Sequence, residues 1–297
     1  MKRLLIIGAK GMLGRELVEV LQSSFQVNQY PDREIWAWDL GDIDIQDESD
    51  TISKIENLRP EVVINVAAYT DVDGCETNKE KAFAINAEGM KHVALGAVRC
   101  GAKVVYLSTD YVFDGRKREP YTENDPPHPL NVYGLSKLKG EQYLQEQMED
   151  FLIVRTQWLF GRYGKNFVTS ILQQAREKRV LSIVNDQIGS PTYTADLAKA
   201  ISILIQSNAR GIFHVANSDL CSWYTFGHAV VKLSGLTGVK IIPISSKELN
   251  RPAIRPSYSV LSTQKFKRET GMSLRSWSEA LKEYLLAFAK ERVETTF

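Results

Sequence analysis

Cysteine is scarce in this 297-residue chain: Cys75, Cys100 and Cys221 are the only three, and none forms a C-x-x-C pair. An odd, scattered set argues against a disulfide framework and fits reduced thiols in a cytoplasm, packed as small core residues. The four histidines (His92, His128, His214 and His228) make no H-E-x-x-H pattern and no metal-ligand set, so no metal site is assigned. Neither charge sign dominates. Lys and Arg number 37 against 36 Asp and Glu, the formal net charge is +1, and no long basic block occurs. That balance speaks against a nucleic-acid surface as partner. No apolar run approaches the roughly 20 residues of a membrane span, so no membrane association is expected. The opening MKRLLIIGAKG has only a short apolar stretch before Gly8, which reads as a buried strand and not as a signal peptide. Solenoid repeats and low-complexity tracts are also absent.

What is present is an alternation of β-like and helical runs. Residues 4–8, 34–39, 61–68, 102–109 and 151–156 read as strands, rich in apolar and β-branched residues. Residues 12–24 carry helical periodicity, residues 79–101 read as one long helix stopped by Gly101, and Tyr133 to about Glu149 forms the next helix. Alternation of this kind implies right-handed crossovers and a doubly wound parallel sheet covered on both faces. Beyond about residue 157 the pattern is mixed: helices at 166–178 and 195–206, strands at 180–186 and 211–216, then "NRPAIRPS" (250–257) before a C-terminal helical region. The expected organisation is a domain over 1–157 and a smaller mixed α/β lobe over 158–297, with some of its elements returning to the main sheet.

The first chemical signal is Gly8-Ala-Lys10-Gly11-Met12-Leu13-Gly14, lying between the first strand and the first helix. Such a loop lets backbone N–H groups approach a pyrophosphate at a helix N-terminus. Its spacing is G-x-x-G-x-x-G, and a glycine triplet alone is also an ordinary tight turn. The second strand then ends at Asp39, placed to bind adenosine ribose hydroxyls. A carboxylate there favours NADH by repelling a 2′-phosphate, although Lys10 and Arg15 soften that preference. Asp44 and Ile45 are positioned to flank the adenine. A second signal is "NVYGLSKLKGE" (131–141), which sets Tyr133 and Lys137 one helical turn apart. On the residues alone this pair is either a solvated helix face or a proton-transfer couple.

The Gly8/Gly11/Gly14 loop, the strand ending "YLSTD" and Tyr133-Gly-Leu-Ser-Lys137 together resemble the extended short-chain dehydrogenase/reductase family. "STDYVFDG" (108–115), "PLNVYGLSKLKGE" (129–141), "RTQWLFG" (155–161), "GKNF" (164–167), "DQIGSPT" (186–192) and "RPSYS" (255–259) look like its dTDP-4-dehydrorhamnose reductase branch, in order along nearly the whole chain. The resemblance implies a Rossmann-like fold with a substrate-binding lobe and a nucleotide-sugar substrate. NADH or NADPH would reduce dTDP-4-dehydro-L-rhamnose to dTDP-L-rhamnose. It implies Tyr133 as general acid/base, Lys137 as its support and a ligand of the nicotinamide ribose, and Thr109 as the holder of the substrate carbonyl. Gly8, Lys10, Gly11, Met12, Leu13, Gly14, Asp39, Asp44, Ile45, Ala67 and Ala68 would line the cofactor. Thr70, Val72 and Trp158 would line the sugar, with Asn166 and Arg255 at the diphosphate. On residue type alone, Trp158 is equally a core residue and Arg255 equally a surface ion-pair partner, while Asn86 reads as a buried structural amide.

Other readings share the fold. A 4,6-dehydratase would carry an acidic pair after the Thr, but Thr109-Asp110 is followed by Tyr111. A 4-epimerase would retain bound NAD. A non-catalytic NADP-binding regulatory subunit is a third reading, disfavoured by the intact Thr109, Tyr133 and Lys137. Some relatives form homodimers with a metal at the interface; Glu16 is one candidate ligand, with no complete set identified.

Overall fold

The protein is described by a computed structural model over residues 2–27 and 33–294. Six apolar runs form one parallel sheet: Lys2–Ile7 (β1), Arg33–Trp38 (β2), Val62–Asn65 (β3), Lys103–Thr109 (β4), Phe151–Thr156 (β5) and Gly211–His214 (β6). Their spatial order is β2-β1-β3-β4-β5-β6. The longer helices among the described residues are Met12–Val27 (α1), Glu48–Leu58 (α2), Gly89–Cys100 (α3), Val132–Gln147 (α4), Phe167–Glu177 (α5), Thr194–Gln206 (α6), Trp223–Leu233 (α7) and Trp277–Glu294 (α8).

The near-continuous hydrophobicity of the strands follows from burial on both sheet faces. Side chains alternate with period two. Leu4, Ile6, Ile64 and Val154 pack with Leu13, Leu17 and Leu21 of α1 and Leu197 and Ile201 of α6. Leu5, Ile7, Val63 and Ile153 pack on the other face with Ile55 of α2, Met90 and Val93 of α3 and Leu144 of α4. Strand order reverses between β1 and β3, which opens a crevice at their carboxyl ends. Ligands of open α/β sheets bind at such a switch point.

Three elements from beyond residue 157 join the main sheet: β6 pairs with β5, α6 packs beside α1, and the short helix Gln264–Thr270 sends Phe266 into the same core. Most of the others build a separate core. There Val180–Val184 pairs in parallel with Lys240–Ile244. Phe160, Tyr193, Phe226, Trp277 and Tyr284 interlock beneath α5, α7 and α8.

The expected long helix over 79–101 is interrupted. It runs as Lys79–Phe83, a π turn at Ala84–Glu88, and then α3, which ends where Gly101 turns left-handed at φ 70°. Helix α2 was not anticipated, because Ile52, Ile55 and Leu58 are its only apolar residues; Asp47 caps it by accepting from Asp50 N.

A buried ion pair ties α4 to the sheet. Arg155 of β5 donates to Glu141 through Nε (2.9 Å) and Nη2 (2.6 Å), with 2% and 0% of the two side chains exposed. Ser108 donates its hydroxyl to the same carboxylate. His214 is kept neutral, its pKa pushed down to about 3 by burial and then by Arg155, so its Nε2 faces the guanidinium without adding charge. Removing one partner of such a pair strands the other in low dielectric, at a cost of roughly 3–5 kcal/mol. Arg155→Met should therefore lower the urea midpoint by that equivalent. A loss below about 1 kcal/mol would show that Glu141 simply takes up a proton.

Candidate functional site

The loop after β1 is shaped by what it must approach. Gly8 has φ 86°, and a Cβ on it would lie 2.7 Å from Ala67 N on the segment after β3. A Cβ on Gly14 would lie 2.2 Å from Gly8 O. The first turn of α1 therefore packs onto the loop backbone, and the loop onto the switch point. Gly8 N and Ala9 N donate to Trp38 O (2.9 and 3.0 Å), which ties the loop to the end of β2. Asp39 reaches back onto it: Oδ2 accepts from Lys10 N (2.8 Å) and Oδ1 from Leu40 N (2.9 Å). Gly8, Lys10, Gly11, Gly14, Asp39 and Ala67 are thus brought to one place, with Met12 opening α1. Leu13 commits its side chain to the core. Asp44 shapes its own turn by accepting from Gln46 N (3.0 Å), and Ile45 is buried against Gly89.

The segment after β3 is held by amides. Asn65 Oδ1 accepts from Ala67 N (3.1 Å). Asn86 is buried, as its residue type suggested. It accepts from Tyr69 N (2.8 Å) and donates to Tyr69 O (3.1 Å) and Ser136 Oγ (3.0 Å). Ala68 is fixed between these anchors, while Thr70 beyond them is exposed.

Thr109 ends β4 and Tyr133 sits in the first turn of α4, which Asn131 caps by accepting from Gly134 N. Thr109 Oγ1 donates to Asp110 Oδ1 (3.0 Å), accepts from Tyr111 N (3.2 Å) and hydrogen-bonds the Tyr133 phenol. Tyr111 stands edge-to-face with Tyr133 at 5.8 Å. Burial pushes the Tyr133 phenol above its ordinary range, against the Thr109 hydrogen bond. An ammonium near Tyr133 was expected to lower that value. Lys137 instead lies buried with its Nζ over the Tyr106 ring, at 3.9 Å, and burial draws its own pKa down to about 7. Asp110, also buried, is raised to about 7 by desolvation, and its Oδ2 has no hydrogen-bond partner among the described residues.

Beside Tyr111 opens a cavity of about 490 Å³, lined by Val72, Gln174, Trp223, Arg251 and Arg255 among others. Arg255 meets Asp73 bidentately, both contacts at 2.9 Å. Burial alone would raise the Asp73 carboxyl; the bond to Arg255, the Ala253 N–H and the two guanidinium charges carry it below its usual range. Trp158 adopts φ 50°, rare for a non-glycine residue, and stacks on Trp223 at 3.7 Å. Asn166 spends its side chain on the end of α5, accepting from Thr169 N and donating to Gly161 O. Glu16 is buried against Arg162 (3.1 and 3.0 Å). Among the described residues no three His, Cys, Asp or Glu side chains gather to hold a metal, and no helix is long and apolar enough to cross a membrane. Sequence reasoning missed Trp223, Arg251, Asp73 and Asp110. Of these only Trp223 lay outside every stretch already singled out: Asp73 is in "NVAAYTDVDGCE" (65–76), Asp110 in "STDYVFDG" and Arg251 in "NRPAIRPS".

Comparison with known proteins agrees with this fold. Residues 1–290 match the family model described as the RmlD substrate binding domain. The spore coat polysaccharide biosynthesis protein SpsK of Bacillus subtilis is 41% identical over 285 residues, covering 96% of this chain and 97% of that one. A dTDP-4-dehydrorhamnose reductase of Aggregatibacter actinomycetemcomitans is 37% identical, with 95% and 98% covered. The crystal structure of dTDP-4-dehydrorhamnose reductase from Bacillus anthracis, in complex with NADP, superposes with a TM-score of 0.91. It is 38% identical and covers 97% of this chain and 100% of that one.

Asp110 makes stability depend on pH. Its folded value lies above the unfolded value of 3.8, so its contribution is fully present below about pH 4 and is lost as pH rises toward about 7. Asp110→Asn keeps an acceptor for Thr109 and removes that loss. The variant should gain on the wild type between pH 4 and 8, by on the order of 4 kcal/mol. Urea titrations of both proteins at several pH values measure it; a difference that does not change with pH would mean Asp110 ionises freely.

Proposed function

The chain belongs to the RmlD substrate binding domain family, and from that premise we propose that it reduces dTDP-4-dehydro-L-rhamnose to dTDP-L-rhamnose with NADH or NADPH. The observation that supports this reading is Thr109 at the end of β4 beside Tyr133 in the first turn of α4, with Lys137 buried one turn along that helix and Tyr111, packed on Tyr133, lining the 490 Å³ cavity. The cradle fits a dinucleotide. Its backbone approaches leave no room for side chains at Gly8 and Gly14, and Asp39 stands at the end of β2 where a ribose would be read. When bound, the nicotinamide supplies hydride to C4 of the sugar.

The protein's part is proton transfer and placement. Thr109 hydrogen-bonds the carbonyl oxygen, and Tyr133 gives it a proton as alkoxide character develops. Burial that holds the Tyr133 phenol protonated suits a donor in the reductive direction. Lys137 places positive charge behind the phenol and reaches the cofactor ribose. Arg255 and Arg251 take the diphosphate, displacing Asp73, and Val72 and Tyr111 face the sugar. Trp158 acts through Trp223, whose ring lines the cavity. In this reading residues 158–297 supply most of the substrate lobe. The enzyme works in the cytoplasm, where Cys75, Cys100 and Cys221 stay free thiols. The regulatory-subunit reading is disfavoured because Thr109, Tyr133 and Lys137 are all present.

Tyr133→Phe keeps the ring and its packing but removes the proton. Turnover of the 4-keto sugar should fall by roughly 10²–10⁴-fold with cofactor Kd unchanged. Near-normal turnover in a folded variant would remove Tyr133 from the mechanism. Asp39→Ala should raise kcat/KM with NADPH relative to NADH. An unchanged ratio would mean that the Asp39 carboxylate, bonded to Lys10 N and Leu40 N, serves only the loop.

A further inference from the structure

Lys137 is 2% exposed, and among the described residues no side chain or carbonyl hydrogen-bonds its Nζ. What faces the ammonium is a ring, the Tyr106 centroid lying 3.9 Å away. We propose that Tyr106 is a positioning residue for Lys137: its ring face seats the buried ammonium and keeps it charged, with Glu141 supplying the negative side of the seat. The proposal rests on the reductase reading for the importance of Lys137, but its physical content does not.

The ring is held by burial and at its hydroxyl. Tyr106 is 1% exposed within β4, and its hydroxyl donates to Asn86 O at 2.8 Å. That carbonyl lies inside the π turn Ala84–Glu88, where the regular i→i−4 ladder is broken and a backbone acceptor can serve an outside donor. The Asn86 side chain pins the same turn to Ser136 of α4 (3.0 Å). Ring and ammonium are thus fixed to one another through two elements.

The charged and titratable groups around Lys137 are few. Its own helix presents Tyr133 one turn before and Glu141 one turn after. β4 presents Tyr106 and the neutral Ser108, and the π turn presents the neutral Asn86. β5 presents Arg155, whose guanidinium is bonded to Glu141. Glu141 therefore shares its charge with Arg155, and its attraction for Lys137 is diluted. Burial of the amine is opposed by Glu141 and brings its titration to about pH 7. The negative face of an aromatic ring attracts a desolvated cation more strongly than an exposed one. Without the ring face the ammonium should release its proton at still lower pH.

The test is titration of Lys137 in the protein without cofactor, followed by NMR of ¹³C/¹⁵N-labelled lysine and assigned with Lys137→Arg. Tyr106→Phe keeps the ring face and should leave the midpoint close to wild type. Fluorinated phenylalanines at position 106 keep the shape while draining the ring face. The midpoint should step down from phenylalanine to 4-fluoro- to 3,4,5-trifluorophenylalanine. Tyr106→Leu should lower it by on the order of one pH unit. Equal midpoints across the fluorinated series, or a fall in Tyr106→Phe as large as in Tyr106→Leu, overturns the proposal. Because the fluorinated variants preserve packing, a Leu variant that fails to fold leaves the test intact. The titration needs no turnover. A protein that shows the stepped midpoints yet reduces no 4-keto sugar overturns the reductase reading alone.

Discussion

Helix α4 lies closer to the chain beneath it than side chains would permit, and the geometry of the site depends on that approach. A Cβ at Gly134 would fall 2.2 Å from Tyr111 O, and one at Gly140 would fall 2.3 Å from Asn86 O. With neither present, the helix rests backbone to backbone on the turn after β4 and on the π turn. The Glu141–Arg155 pair then anchors its inner face to β5. Residues 133, 137 and 141 share that face because four residues make about one turn. Each meets β4: Tyr133 at Thr109, Lys137 at Tyr106, Glu141 at Ser108. One close helix–strand contact thus fixes a phenol, an ammonium and a carboxylate against the same strand. A slip of one residue would scatter them.

What could be read from the sequence divides along physical lines. Strands such as Leu4–Ile7 and Phe151–Thr156 announce themselves because burial on two faces demands continuous apolar residues. The turn at Gly101 is local chemistry and legible; the cap at Asn166 is equally local, yet the resemblance assigns that residue to the diphosphate. The glycine loop and the Tyr133–Lys137 spacing are short-range too. The other failures involve distance. Asp73 and Arg255 are 182 positions apart and carry no signal of each other. Trp158 and Trp223 stack across 65 positions, and either alone reads as core. The π turn at Ala84–Glu88 lies within a sequence whose periodicity is ordinary for a helix. Its cause is tertiary, since Asn86 has partners on the segment after β3, on β4 and on α4.

Net charge has little to do with recognition here. At +1 overall the chain exerts no strong long-range pull on an anion. Positive charge is instead concentrated by fold at one wall of the cavity, where Arg251 and Arg255 converge on Asp73. Asp73 satisfies a guanidinium that is only 11% exposed, and a buried unpaired Arg would be costly. The same arrangement presents the fork geometry that carboxylate and phosphate share. On the proposed reading, an arriving phosphate exchanges one anionic partner for another. The binding energy it yields is a difference between two such pairings, smaller than the contact seen in isolation would suggest, and more selective for geometry.

The buried titratable groups of the site share a further constraint, the loss of water. Burial raises the Tyr133 phenol and the Asp110 carboxyl and lowers the Lys137 amine. All three shifts favour the neutral form, as they must where charge is poorly solvated. In the proposed mechanism the neutral form of Tyr133 is the proton donor, so burial and reduction agree. For Lys137 they conflict, because a neutral amine neither supports a developing phenolate nor attracts a cofactor oxygen through charge. The site must therefore resist desolvation at one nitrogen while accepting it at an oxygen a helical turn away. A second full carboxylate beside Lys137 would restore its charge but would also raise Tyr133 further. An aromatic face offers attraction without net charge, confined to the atom seated on it. That selectivity in space is what the proposed seat on Tyr106 gives Lys137.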